Sequence, residues 1–293
     1  LNQGSATVNV TLRTATTTAT LSLSEDAPSE LIEYAAATSS SFIVDPRAAS
    51  RLQVLLPGET PVPGSATGKA GTADADGNNG NGIQSFVAGV PYSVTVRAVD
   101  ENFNGVTTAG AGISLTTTDP YDPVIANQSL TGGATTFAVT FFTANATGWR
   151  VNVATSSGAG LANDTSSLAP VTANTATRLH VLVPGETHVP GNVAGLGKSG
   201  SSAGAPGGTY TAGNVWVASV TAVDNWYNPV SGASGNVVFQ TSDPYDVEGA
   251  TQPLASGTTT FAIRMLQAGA QTLGIREITS ALSSGTVTGI PIT

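Results

Sequence analysis

Apolar residues recur at every second position over short stretches of this chain. Tyr92, Val94, Val96 and Ala98 alternate with Ser93, Thr95 and Arg97, and Trp216, Ala218, Val220 and Ala222 repeat the pattern later. A period of two is that of a half-buried strand. Ile113, Leu115 and Thr117, matched by Val237, Phe239 and Thr241, predict the inner face of a following strand. Phe137, Val139 and Phe141, matched by Phe261, Ile263 and Met265, predict the next. Leu52, Val54 and Leu56 alternate with Gln53 and Leu55 ahead of a Pro57-Gly58 turn. Trp149, Val151 and Val153 precede a closing segment over residues 166–171. Only residues 29–37 could form a helical turn.

The pattern is duplicated. Asp100 aligns with Asp224, Asn104 with Asn228, and DPYD at 119–122 with DPYD at 243–246. A repeat of that length is a small domain with its own core. We therefore expect domain 1 over residues 47–172 and domain 2 over 173–293. Residues 1–46 match only the end of a copy: 6–14 align with 135–143, 20–24 with 149–153, and 40–50 with 167–177. Such a half-domain leaves a sheet edge and an apolar face unpaired. Upstream residues, strand donation by a neighbouring subunit, or a small sheet packed on domain 1 would each cover them. With about six or seven short strands per copy, the expected class is all-β, as tandem immunoglobulin-like sandwiches.

Composition narrows the function. The chain has 293 residues, 40% hydrophobic but only 10% charged and 6% aromatic. Its formal net charge of −9 and ten scattered Lys and Arg exclude the basic patch that nucleic acid requires. No apolar run reaches the ~20 residues of a spanning helix, so no membrane insertion is expected. With no cysteine there is no disulfide and no thiolate metal site. The sequence begins at Leu1 without a signal peptide, which suggests a processed form or a piece of something longer. N-x-[ST] sequons at Asn9, Asn127, Asn145 and Asn163 are candidate glycosylation sites and fit an extracellular or cell-surface location.

A strand ending in V-D-x-x-x-N (residues 99–104 and 223–228), a T-T-F-A-type strand, an alternating penultimate strand and a short link resemble the bacterial immunoglobulin-like (Big/invasin-type) repeats of surface adhesins. The Gly-rich loop after the first strand, residues 64–82, is longer than in the common module. The resemblance implies stacked sandwiches serving adhesion or assembly, and no catalytic residue.

Candidate chemistry lies in the acidic turns. In an immunoglobulin-like path the DPYD of one copy approaches the V-D-x-x-x-N loop of the next, bringing Asp119 and Asp122 towards Asp224 and Asn228. Together with Asp100, Asp243 and Asp246, these oxygens could hold Ca²⁺, or simply cap turns. Asp74, Asp76 and Asn78 resemble a calcium loop without its sixth-position Gly or twelfth-position acid, so a flexible loop is the plainer expectation. Trp226 and Tyr227, with Phe103 in domain 1, are expected either to contact a partner such as a glycan or to pack at the joint between domains. His180 and His188 lack a third metal ligand. No nucleophile elbow or phosphate loop is present. Lys69 and Lys198, the two lysines, lie in Gly-rich loops, away from the strand cores where a Lys–Asn crosslink would form. These features point to a structural subunit of an extracellular filament, stalk or surface layer, assembled head-to-tail with copies of itself. The alternative is an adhesin or carbohydrate-binding module.

Overall fold

The computed structural model describes residues 5–25, 35–158, 160–202, 210–246, 249–279 and 281–293. In the leading segment β1 (Thr16–Ala19), β2 (Ser22–Leu23), β3 (Ala37–Thr38) and β4 (Phe42–Val44) form two ladders, β1 with β4 and β2 with β3. The strand expected over residues 6–14 does not form. Its counterpart in domain 1 pairs with a long central strand, and the leading segment offers no such neighbour among the described residues. Val8, Val10 and Leu12 are accordingly exposed. Most of the expected helical turn, residues 29–34, lies outside the described residues, and Ala37–Thr38 is strand.

Domain 1 contains β5 (Arg51–Leu55), β6 (Thr60–Pro61), β7 (Lys69–Ala70), β8 (Phe86–Val87), β9 (Pro91–Val99), β10 (Ala111–Thr117), β11 (Gln128–Ser129), β12 (Ala134–Thr140), β13 (Asn145–Trp149), β14 (Val151–Gly158), β15 (Asp164–Thr165) and β16 (Ala169–Thr172). One sheet runs β12-β9-β5 and the facing sheet β11-β10-β14-β15. A smaller sheet, β13-β16-β8, closes one end, with β16 and β8 parallel. Domain 2 repeats the plan with β17 (Arg178–Leu182), β18 (Glu186–His188), β19 (Lys198–Gly200), β20 (Val215–Val223), β21 (Asn236–Thr241), β22 (Gln252–Pro253), β23 (Thr258–Arg264), β24 (Gly269–Glu277) and β25 (Gly285–Ile292). Its sheets are β17-β20-β23 and β22-β21-β24-β25. Both copies are immunoglobulin-like sandwiches whose two main sheets are antiparallel.

The alternation places one face of each strand inside. Val94, Val96, Ala98, Ile113, Leu115, Phe137, Val139 and Phe141 are buried in one core, and Ala218, Val220, Ala222, Val237, Phe239, Phe261, Ile263 and Met265 in a second. Burying such side chains contributes about 1.5–3 kcal/mol each. The first strand departs from the rule. In β5 Gln53 and Leu55 are buried along with Leu52 and Val54, and in β17 His180 is buried along with Leu179 and Val181. The Gly-rich loop is the cause, because it folds back over the outer face of this strand. Gln53 Nε2 donates to the Gly68 carbonyl at 2.7 Å, and His180 Nε2 lies 3.1 Å from the Leu196 carbonyl oxygen.

Each of the two lysines pins this loop. Lys69 pairs with Glu59 at 2.9 Å and Lys198 with Glu186 at 3.0 Å, next to the Pro-Gly turn. Glu59 and Glu186 are almost fully buried and also accept the backbone N–H of Leu56 and Val183. The loop that length alone marks as irregular is thus a folded flap with short ladders, β6 with β7 and β18 with β19.

Candidate functional site at the domain joints

The V-D-x-x-x-N turn follows directly from β9 and β20. Its first Asp is buried, 1% exposed at Asp100 and 0% at Asp224, and its Asn is 4% exposed at Asn104 and 0% at Asn228. In each copy one oxygen of the Asp accepts the N–H groups of its own turn, from Asn102 and Asn104 in domain 1 and from Trp226 and Asn228 in domain 2. The other oxygen accepts a backbone N–H of the interdomain link, Arg47 at 3.0 Å and Asn174 at 2.9 Å. Burial disfavours the charged form of Asp100. The Asn104 amide and the N–H groups of Arg47, Asn104 and Asn102 outweigh it, and the carboxyl lies below its ordinary range.

The Asn completes the joint. Asn228 Oδ1 accepts the Ala144 N–H at 2.8 Å while its Nδ2 donates to the Phe142 carbonyl at 2.8 Å, so one side chain clamps a bend of domain 1. Asn104 does the same to the leading segment, accepting from Ala15 at 2.7 Å and donating to the Arg13 carbonyl at 2.8 Å. An amide is suited to this task because it carries a donor and an acceptor side by side. The DPYD turn presents the bend from behind. Asp119 accepts the Phe142 and Thr143 N–H groups at 2.7 and 2.8 Å and the Thr143 hydroxyl at 2.7 Å. Asp119 bonds Phe142 and Thr143 while Asn228 bonds Phe142 and Ala144, so between them they hold the three-residue bend.

Apolar contacts and glycines shape the rest. Trp226 packs on the edge of the domain 1 core, with its ring centroid 5.8 Å from that of Phe142. It sits over Gly89, where an added Cβ would fall inside the indole. Thr143 and Tyr121 lie over Gly191, and Thr14 lies over Gly64 in the earlier joint. Phe103 and Tyr227 require a correction. Each has a left-handed backbone, φ 63° and 62°, and turns back over Gly68 or Gly197 of its own flap rather than standing free at the tip. There Arg51 and Arg178 lie 5.0 and 5.1 Å from the two ring centroids.

The other acidic candidates are engaged locally. Asp122 and Asp246 accept the hydroxyls of Thr117 and Thr241. Burial raises Asp122, with the Asp119 charge adding to the effect. Asp243 takes the N–H groups of Leu266 and Gln267, as Asp119 does those of Phe142 and Thr143. Asp74, Asp76 and Asn78 form a hydrogen-bonded turn rather than a loose loop. Asp74 accepts from Gln84 N–H at 3.1 Å, Asp76 accepts from Asn81 and Gln84, and Asn78 caps a short 3₁₀ turn. Among the described residues no three His, Asp or Glu side chains converge as a metal site. Of the sequons, Asn9, Asn127 and Asn163 are exposed, whereas Asn145 is half-buried and turns its amide to the Gly148 carbonyl.

A cavity opens beside the flap in both domains, about 300 Å³ next to Arg51 and Lys69 and about 380 Å³ next to Arg178 and Lys198. His180 borders the second and stacks near His188, with centroids 4.6 Å apart. Burial, then the neighbouring His188 and Lys198, lower the His180 pKa to about 4. Sequence reasoning missed this feature, although the shared R-L-x-V-L start of β5 and β17, each with a lysine in the loop that follows, marks it.

No protein-family model and no curated protein matches the sequence. Solved structures do match. The D0–D1 domains of intimin align over 70% of this chain and 94% of that one, at 14% identity and a TM-score of 0.24. A β-glucuronidase from Bacteroides uniformis aligns over 69% of this chain at 9% identity and a TM-score of 0.26. A family 2 glycosyl hydrolase from Bacteroides cellulosilyticus aligns over 83% at 12% identity and 0.27. The chain spans about a quarter of the length of these two glycosidases, 23% and 29%. At these TM-scores the likeness assigns none of those proteins' activities to this chain.

Proposed function

We propose that this chain is a structural spacer of an extracellular stalk, filament or surface layer, in which immunoglobulin-like domains are locked tip to base. The observation that carries this reading is the repeated clamp: Asn104 and Asn228 each close a joint with the same pair of backbone hydrogen bonds. A flexible tether has no need of buried, fully bonded polar groups at its hinges. A spacer that must hold its direction does. The link is held as well, through Arg47 and Asn174, so a tip and its linker form one unit. The adhesin or sugar-binding alternative is less well supported, because Trp226, the best aromatic platform for a ring, is spent on Gly89 and Phe142. The exposed Val8, Val10 and Leu12 support completion of residues 1–46 by another segment, upstream or from a neighbouring subunit.

Solution X-ray scattering together with a glycan array tests the reading. A spacer gives an elongated, rigid particle whose profile broadens in Asn228→Ala, and no saturable sugar binding. Saturable binding to a defined glycan, or wild-type scattering from freely jointed domains, contradicts it.

A further inference from the structure

The trailing end of domain 2 reproduces the clamped bend of domain 1, without a tip bonded to it among the described residues. Leu266, Gln267 and Ala268 align with Phe142, Thr143 and Ala144, and with Arg13, Thr14 and Ala15 of the leading segment. All three are bends that lead directly into a strand. Asp243 holds the Leu266 and Gln267 N–H groups from behind, as Asp119 holds those of domain 1. The Met265 carbonyl accepts the Gly213 N–H, as the Phe141 carbonyl accepts that of Gly89. Behind the bend the Thr143 hydroxyl bond to Asp119 has no counterpart at Gln267; the larger difference lies in front. The Phe142 carbonyl and Ala144 N–H are bonded to Asn228, whereas among the described residues the Leu266 carbonyl and Ala268 N–H have no partner.

The surrounding surface is bare in the same way. Gly89 carries Trp226, but a Cβ on Gly213 would meet no heavy atom within 4 Å. Tyr121 is half-buried against Gly191, while its counterpart Tyr245 is 68% exposed. Leu266, in the place of Phe142, is 41% exposed. Asp243 is nonetheless fully organised: burial opposes its charge, the Gln267, Tyr245 and Leu266 N–H groups outweigh that, and its carboxyl lies below the ordinary range. The bend is therefore preformed rather than shaped by an occupant.

We infer that Gly213, Tyr245, Leu266 and Ala268 form a socket for the Asp-x-x-x-Asn tip of a further immunoglobulin-like domain joined in cis by a short link. This rests on the spacer reading above. Two observations select that occupant over a second copy of the chain. Both tips of this chain are already spent, Asn104 on Arg13 and Ala15 and Asn228 on Phe142 and Ala144, so a second copy brings no free tip. In both joints the tip Asp also binds the backbone of the link that runs from the preceding segment into its own domain, so a covalent link is part of each joint as it is built here.

The test extends the chain after Thr293 with a second copy of residues 173–293 and follows amide hydrogen exchange at Ala144 and Ala268. In the unextended protein Ala268 exchanges fast and Ala144 slowly. In the extended one Ala268 slows by on the order of tenfold or more, towards Ala144. Replacing the appended counterpart of Asn228 by Ala restores fast exchange. Gly213→Ala, which blocks the aromatic seat from the socket side, does so as well without touching the appended domain. Unchanged exchange at Ala268 with Ala144 still protected overturns the socket and leaves the spacer reading standing. Fast exchange at Ala144 overturns both. Protection of Ala268 in the unextended protein, rising with concentration alongside a dimer mass, shows that a second copy fills the site and overturns the inference.

Discussion

Asn228 holds Phe142 across the domain boundary, its Nδ2 2.8 Å from the Phe142 carbonyl oxygen, while its Oδ1 takes the Ala144 N–H two residues on. The same amide also donates to Asp224, at 3.0 Å to Oδ2, so the joint and the interior of the turn share one side chain. Asn228→Ala leaves the buried Asp224, the Phe142 carbonyl and the Ala144 N–H short of partners. We expect a loss of about 1–3 kcal/mol, read as a lower chemical-denaturation midpoint of domain 2. Asn228→Asp is more damaging, because it places a second carboxylate against Asp224 and removes the donor to Phe142. A midpoint unchanged within error in both variants would contradict the clamp.

Gly89 has φ 78° and bears the indole of Trp226, so Gly89→Ala combines left-handed backbone strain with a steric block. The expected outcome is a joint opened at the aromatic contact, with Trp226 emission shifted to longer wavelength and more accessible to quencher. Domain 1 should keep its fold. An unshifted emission spectrum would show that Trp226 does not depend on that seat.

His180 gives domain 2 a pH dependence that domain 1 lacks, since Gln53 occupies the matching place. Burial, His188 and Lys198 all oppose its protonation and set its folded pKa at about 4, against 6.5 for the free side chain. Burial lowers His188 as well. Because the folded pKa lies below the unfolded one, the unfolded chain takes up the proton first. Stability is full above pH 6.5 and is lost as pH falls from there towards 4. Calorimetry should show the domain 2 transition moving down between pH 7 and 5, and His180→Gln should flatten that slope.

Asp100 behaves in the same direction for a different reason. Its folded carboxyl lies below the ordinary value, so its contribution is present above the carboxylate range and is lost as pH falls through the folded pKa. Because N–H donors already occupy the oxygens of Asp100 and Asp224, added Ca²⁺ should leave the melting temperature of both domains unchanged. A saturable rise with calcium would show that a cation displaces those donors.

The sandwich was legible because its signal is local. The alternation through Val94, Val96 and Ala98, or Ala218, Val220 and Ala222, needs only a period of two and one buried face. The matched Asp and Asn positions stood out through the repeat, as turn caps or calcium ligands near the ends of successive copies. That choice was not legible. Whether Asp224 meets a cation or an N–H depends on the backbone of Asn174, fifty residues away in sequence. The flap over β5 and β17 was hidden too, because glycine-rich composition is equally that of a loose loop, and only the Lys69–Glu59 and Lys198–Glu186 pairs distinguish them. The seats of Phe103 and Tyr227 on their own flap were hidden as well, because they depend on a left-handed backbone and on Gly68 and Gly197 in a distant loop.

The central claim is that a buried asparagine at each tip makes successive domains move as one body. Residual dipolar couplings measured across domains 1 and 2 test it most directly. The account predicts a single alignment tensor for both domains in the wild-type chain, splitting into two in Asn228→Ala. Two unequal tensors in the wild-type protein would contradict it.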